Sequence, residues 1–332
     1  MAHDTPAPAA RTAMSPREIR AVLEHYPLGT ARSIRPMKIG SPASPKVVIQ
    51  CDSERFVLKR RGPGRDDPMG VARIHATQLA VEQAGVPVAR LIGTRDNNSM
   101  LQLDGRVYEM TMWIEGRPYA HTPAHAGAGG RALRALHTAL AQVRGVRGFD
   151  RGSYHRAEHV EARLAHIASG LDHEHARIVA DVLGLYRHAG QISADADAEP
   201  RQIVHGDWHP GNLIYQDDGQ ATIVDFDTLR IARRVTDAAS GALWFSLPRH
   251  PDSRTLSPSA DWDLARAFTS GYGESLDSPR ARVLCGLMGE ALIAEAVVPI
   301  ARTGLIGHED GVRVLEEVRT LVRWILGRAD AG

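Results

Sequence analysis

Apolar residues along this chain recur first at strand spacing and then at helix spacing. Ser15-Pro16-Arg17-Glu18 has the form of a capping box with proline at the first helical position, and predicts a helix to about Tyr26. From there to Glu115 the apolar runs are short. Lys46–Gln50 and Arg55–Lys59, separated by the polar turn Cys51–Glu54, predict two strands. A helix follows over Met69–Ala84, stopped by Gly85 with Pro87 just beyond. Ala89–Gly93, Met100–Leu103 and Arg106–Ile114 alternate as strands, the last two joined by a tight Asp104-Gly105 turn. After Gly116 the pattern changes. Thr122–Gly130 is a stretch rich in alanine, glycine and proline. Arg131–Val143, Arg156–Ser169 and His173–His188 carry apolar residues at helical spacing. Ala194–Pro200 reads as a loop, and a last strand pair, Asn212–Tyr215 and Ala221–Asp225, precedes further helices. The expected architecture is α+β, with a disordered leader over residues 1–14, a β-rich domain over 15–116 and a larger helical domain over 117–332.

Composition narrows the class without naming a chemistry. At 332 residues and 43% apolar, the chain can build two cores. Forty basic residues against thirty-nine acidic ones leave a net charge of +1, which argues against a nucleic-acid or membrane-surface partner. Cys51 and Cys285 stand far apart, so neither a disulfide framework nor a CxxC metal pair is expected. The amino terminus lacks the apolar centre of a signal peptide. The longest apolar run, Ala291–Ile300, carries Glu295 and Pro299 and falls short of the ~20 residues of a spanning helix. A soluble, cytoplasmic protein is the expectation.

The stretch from Ile203 to Asp227, IVHGDWHPGNLIYQDDGQATIVDFD, carries the chemistry. Asp218-Gly219 predicts a two-residue hairpin turn, and in that register Asn212 faces Asp225 directly across the two strands. An amide oxygen beside a carboxylate suits Mg²⁺, a hard cation that also takes phosphate oxygens. Asp207 lies five residues before Asn212, the spacing of a kinase catalytic loop, in which the aspartate accepts the attacking hydroxyl's proton. Asp225-Phe226-Asp227 stands where a kinase carries its metal-binding acid.

His205-Gly206-Asp207-Trp208-His209-Pro210-Gly211-Asn212, followed by Asp225, resembles the HGDxHxxN loop and downstream acid of the aminoglycoside phosphotransferase and choline kinase-like family. The resemblance covers roughly Ile34 to Ser246 and implies a two-lobed, protein-kinase-like fold binding ATP and Mg²⁺. It makes Asp207 the catalytic base, Asn212 and Asp225 the metal ligands, and Asp227 a further polar contact. His205 and His209 would brace the loop, and Asp237, in Asp237-Ala238-Ala239, would hold backbone. Lys59, closing Phe56-Val57-Leu58-Lys59, would meet nucleotide phosphates, with Gly40 and Ser41 in the covering turn. The Met112-Trp113-Ile114 backbone would hold the adenine edge. The sequence departs from the family in the helix after Lys59. There the position of the glutamate that should pair with this lysine falls near Ile74 or His75, and neither is acidic.

The resemblance implies transfer of the γ-phosphate to a hydroxyl of a small molecule such as an amino alcohol, aminoglycoside or sugar. Asp261, Asp263, Glu274, Glu290 and Glu295 are candidate acids for a cationic acceptor. Two other readings stand beside it. A catalytically weak or inactive nucleotide-binding regulator could share the fold, which the missing glutamate favours. His205-x-Asp207-x-His209 also has the look of a metallohydrolase run, though no second cluster completes a zinc site. A protein kinase fits less well, since only eleven residues separate Asp225 from Asp237, leaving little room for an activation loop.

Overall fold

A computed structural model of the chain describes residues 12–248, 256–306 and 309–329. The chain forms two compact units. The first comprises residues up to Gly116 together with Gln142–Arg147 and Thr222–Asp227, and the second comprises the remainder. The segment bearing Asp225 and Asp227 therefore packs with the β-rich unit, although it follows the catalytic loop in sequence.

In the first unit, α1 (Pro16–Leu23) begins as predicted: the Ser15 hydroxyl accepts from the Glu18 N–H, and the Glu18 carboxylate accepts from the Ser15 N–H. The leader expected over residues 1–14 lies outside the described residues as far as residue 11. Its last residues are not loose, because the Thr12 N–H donates to the Pro42 carbonyl and Met14 is buried beside Ile19 and Val22.

Strands β1 (Ser33–Met37), β2 (Lys46–Gln50), β3 (Arg55–Arg60), β4 (Leu101–Leu103) and β5 (Arg106–Met112) form an antiparallel sheet in the order β1-β2-β3-β5-β4. Helix α2 (Pro68–Gln83) lies between β3 and β4 in sequence. Asp104 and Gly105 both take positive φ, closing the β4–β5 turn as its residue types require. Ala89–Gly93, predicted as a strand, makes only isolated bridges, of Val88 with Ile223 and Leu91 with Thr111.

The sheet registers sort side chains by face. Val47, Leu58 and Met110 lie opposite one another across β2, β3 and β5, and join the apolar core with α1. One residue away on each strand, Lys46, Lys59 and Glu109 form a second row, which the period of two turns to the other face.

The second unit is mainly helical. Helix α3 spans Pro123–Leu140, beginning eight residues before the predicted Arg131, with the Thr122 hydroxyl capping the His125 N–H. The Ala/Gly-rich segment is thus helix, and close packing explains its composition. A Cβ on Gly130 would overlap the Phe268 carbonyl and come within 2.8 Å of the Tyr272 nitrogen, both on α7 (Trp262–Tyr272). Helices α4 (Glu158–Ser169) and α5 (His173–Ile192) follow the predicted periodicity.

Strand β6 (Arg201–Val204) pairs antiparallel with β9 (Arg230–Arg233), and this pair frames the catalytic loop. Between them run β7 (Leu213–Tyr215) and β8 (Ala221–Ile223), the arms of a hairpin. Helices α6 (Arg234–Ser246), α8 (Ala281–Thr303) and α9 (Gly311–Ala329) complete the unit. α8 is long and apolar enough to cross a membrane by length and composition, but 83% of its most apolar window is buried inside the protein, so it packs as a core helix.

Candidate active site

The loop from His205 to Asn212, in the second unit, is held by its backbone. Asp237, buried on α6, accepts from the His205 N–H at 2.7 Å and the Gly206 N–H at 3.0 Å. The Thr228 hydroxyl donates to the His205 carbonyl at 2.9 Å. Gly206 has φ 79°, and a Cβ there would stand 2.5 Å from the Thr228 carbonyl oxygen, so only glycine fits the bend into Asp207. Burial on its own would raise the Asp237 pKa. The His137 hydrogen bond at 3.1 Å, the nearby imidazoles and the loop N–H groups outweigh burial and lower it below the ordinary value.

The two histidines of the motif lie against the loop. The His205 ring packs edge-on to the buried Trp208 at 5.2 Å. His209 accepts the Gly211 N–H at Nδ1, which leaves Nε2 3.7 Å from an Asp207 carboxylate oxygen. The Asn212 amide nitrogen donates to the Asp207 carbonyl at 2.9 Å. That bond fixes the amide's orientation and turns its oxygen away from the loop carbonyl. Asp207 itself keeps nearly half of its side chain in solvent.

The hairpin after the loop differs from the predicted one. Gln216 N–H donates to the Gln220 carbonyl, Gly219 N–H donates to the Gln216 carbonyl, and Gly219 has φ 79°. The loop therefore has three residues, a turn closed by a left-handed glycine, and the register shifts by one residue. Asn212 belongs to a short 3₁₀ turn (Pro210–Asn212), and β8 ends at Ile223. Strand pairing thus does not set Asn212 against Asp225. Each is placed by its own loop.

In the first unit the polar row becomes a buried charge cluster. Lys59 Nζ lies 2.6 Å from Asp227, 3.1 Å from Glu109 and 4.0 Å from Asp225. Arg61 Nε donates to Glu109 at 2.7 Å, and its guanidinium also reaches Asp227 at 2.8 Å. Lys46 Nζ is 3.7 Å from Asp225, whose Oδ1 accepts the Asp227 N–H. Burial opposes the charges of Lys59, Arg61, Glu109 and Asp225. The neighbouring carboxylates nevertheless lift Lys59 above the ordinary lysine value, and Lys59 and Lys46 hold Asp225 well below the ordinary aspartate value. Burial also works against ionised Glu109, but Lys59 and Arg61 keep it ionised. Asp225 therefore presents an ionised oxygen donor and the Asn212 side chain an amide oxygen, each a hard donor of the kind Mg²⁺ takes.

The other expected positions are set by backbone. Gly40 has φ 76°, and the Ser41 hydroxyl accepts from Ala43 N–H in the turn between β1 and β2. Met112 N–H donates to the Arg90 carbonyl and Trp113 N–H to the Arg55 carbonyl, so two of the three expected hinge donors are already engaged. Among the candidate acids, Glu290 is fully buried on His155, Ser193 and the Arg156 N–H. Asp261 caps α7, Asp263 and Arg266 lie 3.7 Å apart, and Glu274 pairs with Arg280. Glu295 differs. It keeps an exposed edge, yet the protein crowded about its carboxyl raises its pKa; nearby Asp207 adds to the rise, while Arg230 and His209 oppose it.

Sequence reading places His75 near Lys59 but misses Lys46, Arg61 and Glu109. Two signals were present. A glutamate stands alone among the apolar residues of Val107-Tyr108-Glu109-Met110, and Arg61 lies two residues from Lys59, on the same strand face. Among the described residues no group of three His, Cys, Asp or Glu side chains could hold a metal ion, so His205 and His209 do not form part of a zinc-type cluster.

Comparison with known proteins gives the family and the fold. The sequence profile of the phosphotransferase enzyme family matches residues 35–272. The homoserine kinase of Methylocella silvestris is 26% identical over 228 residues, 66% of each chain, so the match spans just under two thirds of that kinase. Among solved structures, a microcompartment-associated aminopropanol kinase superposes with a TM-score of 0.68 at 14% identity, over 95% of this chain and 99% of its own. A spectinomycin phosphotransferase, solved with ADP and spectinomycin, gives 0.60 at 14% identity, over 95% and 97%. The fold is the α+β, protein-kinase-like one.

Proposed function

The chain belongs to the phosphotransferase enzyme family, and from that premise we propose that it transfers the γ-phosphoryl group of ATP to a hydroxyl of a small molecule. The observation that carries this reading is the catalytic loop, in which Asn212 grips the Asp207 carbonyl while Asp237 grips the two preceding amides. A loop tied at both ends holds the Asp207 carboxylate in one place, as a general base requires.

In the proposed reaction Asp207 takes the proton of the acceptor hydroxyl as its oxygen bonds to the γ-phosphorus. The bond from that phosphorus to the β,γ-bridging oxygen breaks, and its electron pair leaves on ADP. Lys59 orients phosphate oxygens, beneath the Gly40–Ser41 turn. The adenine edge falls to Ile114 N–H and the hinge carbonyls, since Met112 and Trp113 N–H groups are engaged. Asn212 and Asp225 would hold Mg²⁺, which when bound neutralises charge building on the phosphate oxygens. Asp227 acts through Lys59 and Arg61.

The acceptor we infer is a small cationic or polyhydroxylated molecule, with Glu295 the acid that meets its ammonium. A desolvated ammonium needs a paired charge, and Glu295 is a candidate acid close enough to Asp207 to feel its charge. The test is ADP release on a panel of amino alcohols, aminoglycosides and neutral sugars at fixed ATP and Mg²⁺. Turnover with amine-bearing acceptors, lost on Glu295→Gln, is expected. Preference for an anionic acceptor would overturn the acceptor class, and absence of phosphorylated product from the whole panel would count against the small-molecule reading.

A further inference from the structure

We propose that Glu109 is the positioning carboxylate of Lys59, so that the ion pair of a kinase-type lysine runs across the sheet instead of descending from helix α2. This inference rests on the phosphotransferase reading and concerns how its phosphate-binding lysine is aimed.

Strand register provides the first argument. Lys59 and Glu109 are direct partners across β3 and β5, so their side chains leave the sheet side by side on one face. The contact follows from backbone hydrogen bonding and does not depend on a chance meeting of long side chains. Satisfaction of the carboxylate provides the second. Oε1 meets Lys59 at 3.1 Å, while Oε2 takes Arg61 Nε at 2.7 Å and His75 Nε2 at 2.9 Å. Glu109 is buried, and a buried carboxylate is tolerated only when both oxygens are matched in this way.

His75 provides the third argument. It lies on α2, near where the family's glutamate would stand, and its Nδ1 is held by the Ser99 hydroxyl at 3.0 Å. The helix therefore presents an imidazole to the cluster. An acid at position 75 would face Glu109 within hydrogen-bond distance, and two buried carboxylates there would repel. The two arrangements exclude each other: either the helix or the strand supplies the carboxylate. In this chain it is the strand. The lysine ammonium thus lies between Glu109 at 3.1 Å and Asp227 at 2.6 Å, so its direction is set by two carboxylates.

A carboxylate that only stabilised the fold would affect unfolding without affecting nucleotide affinity in the folded protein. The test therefore measures the dissociation constant of AMP-PNP with Mg²⁺ by calorimetry, well below the unfolding midpoint, alongside KM for ATP and kcat. Wild type, Lys59→Ala, Glu109→Gln and the double variant His75→Glu/Glu109→Gln are compared. Glu109→Gln should weaken nucleotide binding and raise KM by about 10- to 100-fold, the worth of one hydrogen bond to a charged group. The double variant, with the carboxylate returned to the helix, should recover most of that loss. If Glu109→Gln does not fold, Glu109→Asp, which withdraws the carboxylate by one methylene, carries the same comparison.

Wild-type affinity in a folded Glu109→Gln protein, with Lys59→Ala impaired, would overturn the proposal and leave the phosphotransferase reading standing. Equal impairment of the single and double variants would overturn it as well, because the carboxylate would then not be what was lost. A wild-type protein that binds no nucleotide would remove the phosphotransferase reading, and this inference with it.

Discussion

Asp207 and Asp237 are both aspartates of one short stretch, yet their surroundings fit them for opposite tasks. Asp207 keeps nearly half of its side chain in solvent, its backbone carbonyl is held by Asn212, and His209 Nε2 lies 3.7 Å from its carboxylate. Asp207→Asn should keep the fold and the affinity for nucleotide while lowering kcat by ~10²–10⁴, the usual worth of a positioned base; steady-state turnover beside calorimetric binding separates the two. Asp237 is buried and used up by its partners. Its pKa is depressed from the ordinary 3.8, so its contribution to stability is fully present above that value and is lost as pH falls through the lower, folded-state value. Asp237→Asn should therefore lower the unfolding midpoint near neutral pH, and the gap from wild type should narrow below about pH 4. Thermal unfolding between pH 2 and 7 reads this out. A gap that widened towards acid would refute the assignment.

At the scale of elements, the contact between α3 and α7 depends on missing side chains. Gly130 meets the Phe268 carbonyl and Gly271 meets the Gly127 carbonyl, so the two helices approach backbone to backbone. Gly130→Ala should destabilise by about 1–3 kcal/mol through forced separation of the pair. Gly184, inside α5, has nothing within 4 Å of where a Cβ would stand. There the same change should stabilise by about 0.5–1 kcal/mol, because alanine gives up less backbone freedom in a helix. Urea denaturation of the two variants checks the pair of signs together. This packing also explains why the segment before Arg131 reads as a connector. Glycine and proline are helix breakers by local propensity, and only a partner helix at close range makes them the right residues.

Across the whole molecule, residues of the proposed reaction are drawn from distant parts of the chain. Lys59 and Glu109 come from the first sheet, Asp225 and Asp227 pack with that unit, and Asp207 and Asn212 belong to the second. Ligand binding to the folded state alone should show as stabilisation. AMP-PNP with Mg²⁺ at 100 times its dissociation constant should add about 2.7 kcal/mol of stability. EDTA should abolish most of that gain together with ATP turnover, as metal-bridged phosphate binding requires. Scanning calorimetry with nucleotide, with nucleotide and Mg²⁺, and with EDTA added checks it; a shift insensitive to EDTA would remove Mg²⁺ from the reading.

The sequence alone determined what depends on neighbours in the chain. The Ser15–Glu18 capping box, the Asp104-Gly105 turn and the strands on either side of Cys51–Glu54 are short-range matters of dihedral preference and hydrogen bonding, and each is where the pattern places it. The α+β order and the HGDWHPGN loop were legible for the same reason. Tertiary structure decided what depends on residues far away in the chain. It made Thr122–Gly130 the start of a helix, because α7 supplies a surface that only glycine fits. In the last hairpin, the glycine's left-handed backbone sets a three-residue loop where composition alone suggested two. The partner of Lys59 was likewise hidden. Glu109 lies fifty residues on, beyond a helix and another strand, and becomes a neighbour only when β5 pairs with β3. Local preference is written in adjacent residues, whereas a buried charge finds its partner only when the sheet closes.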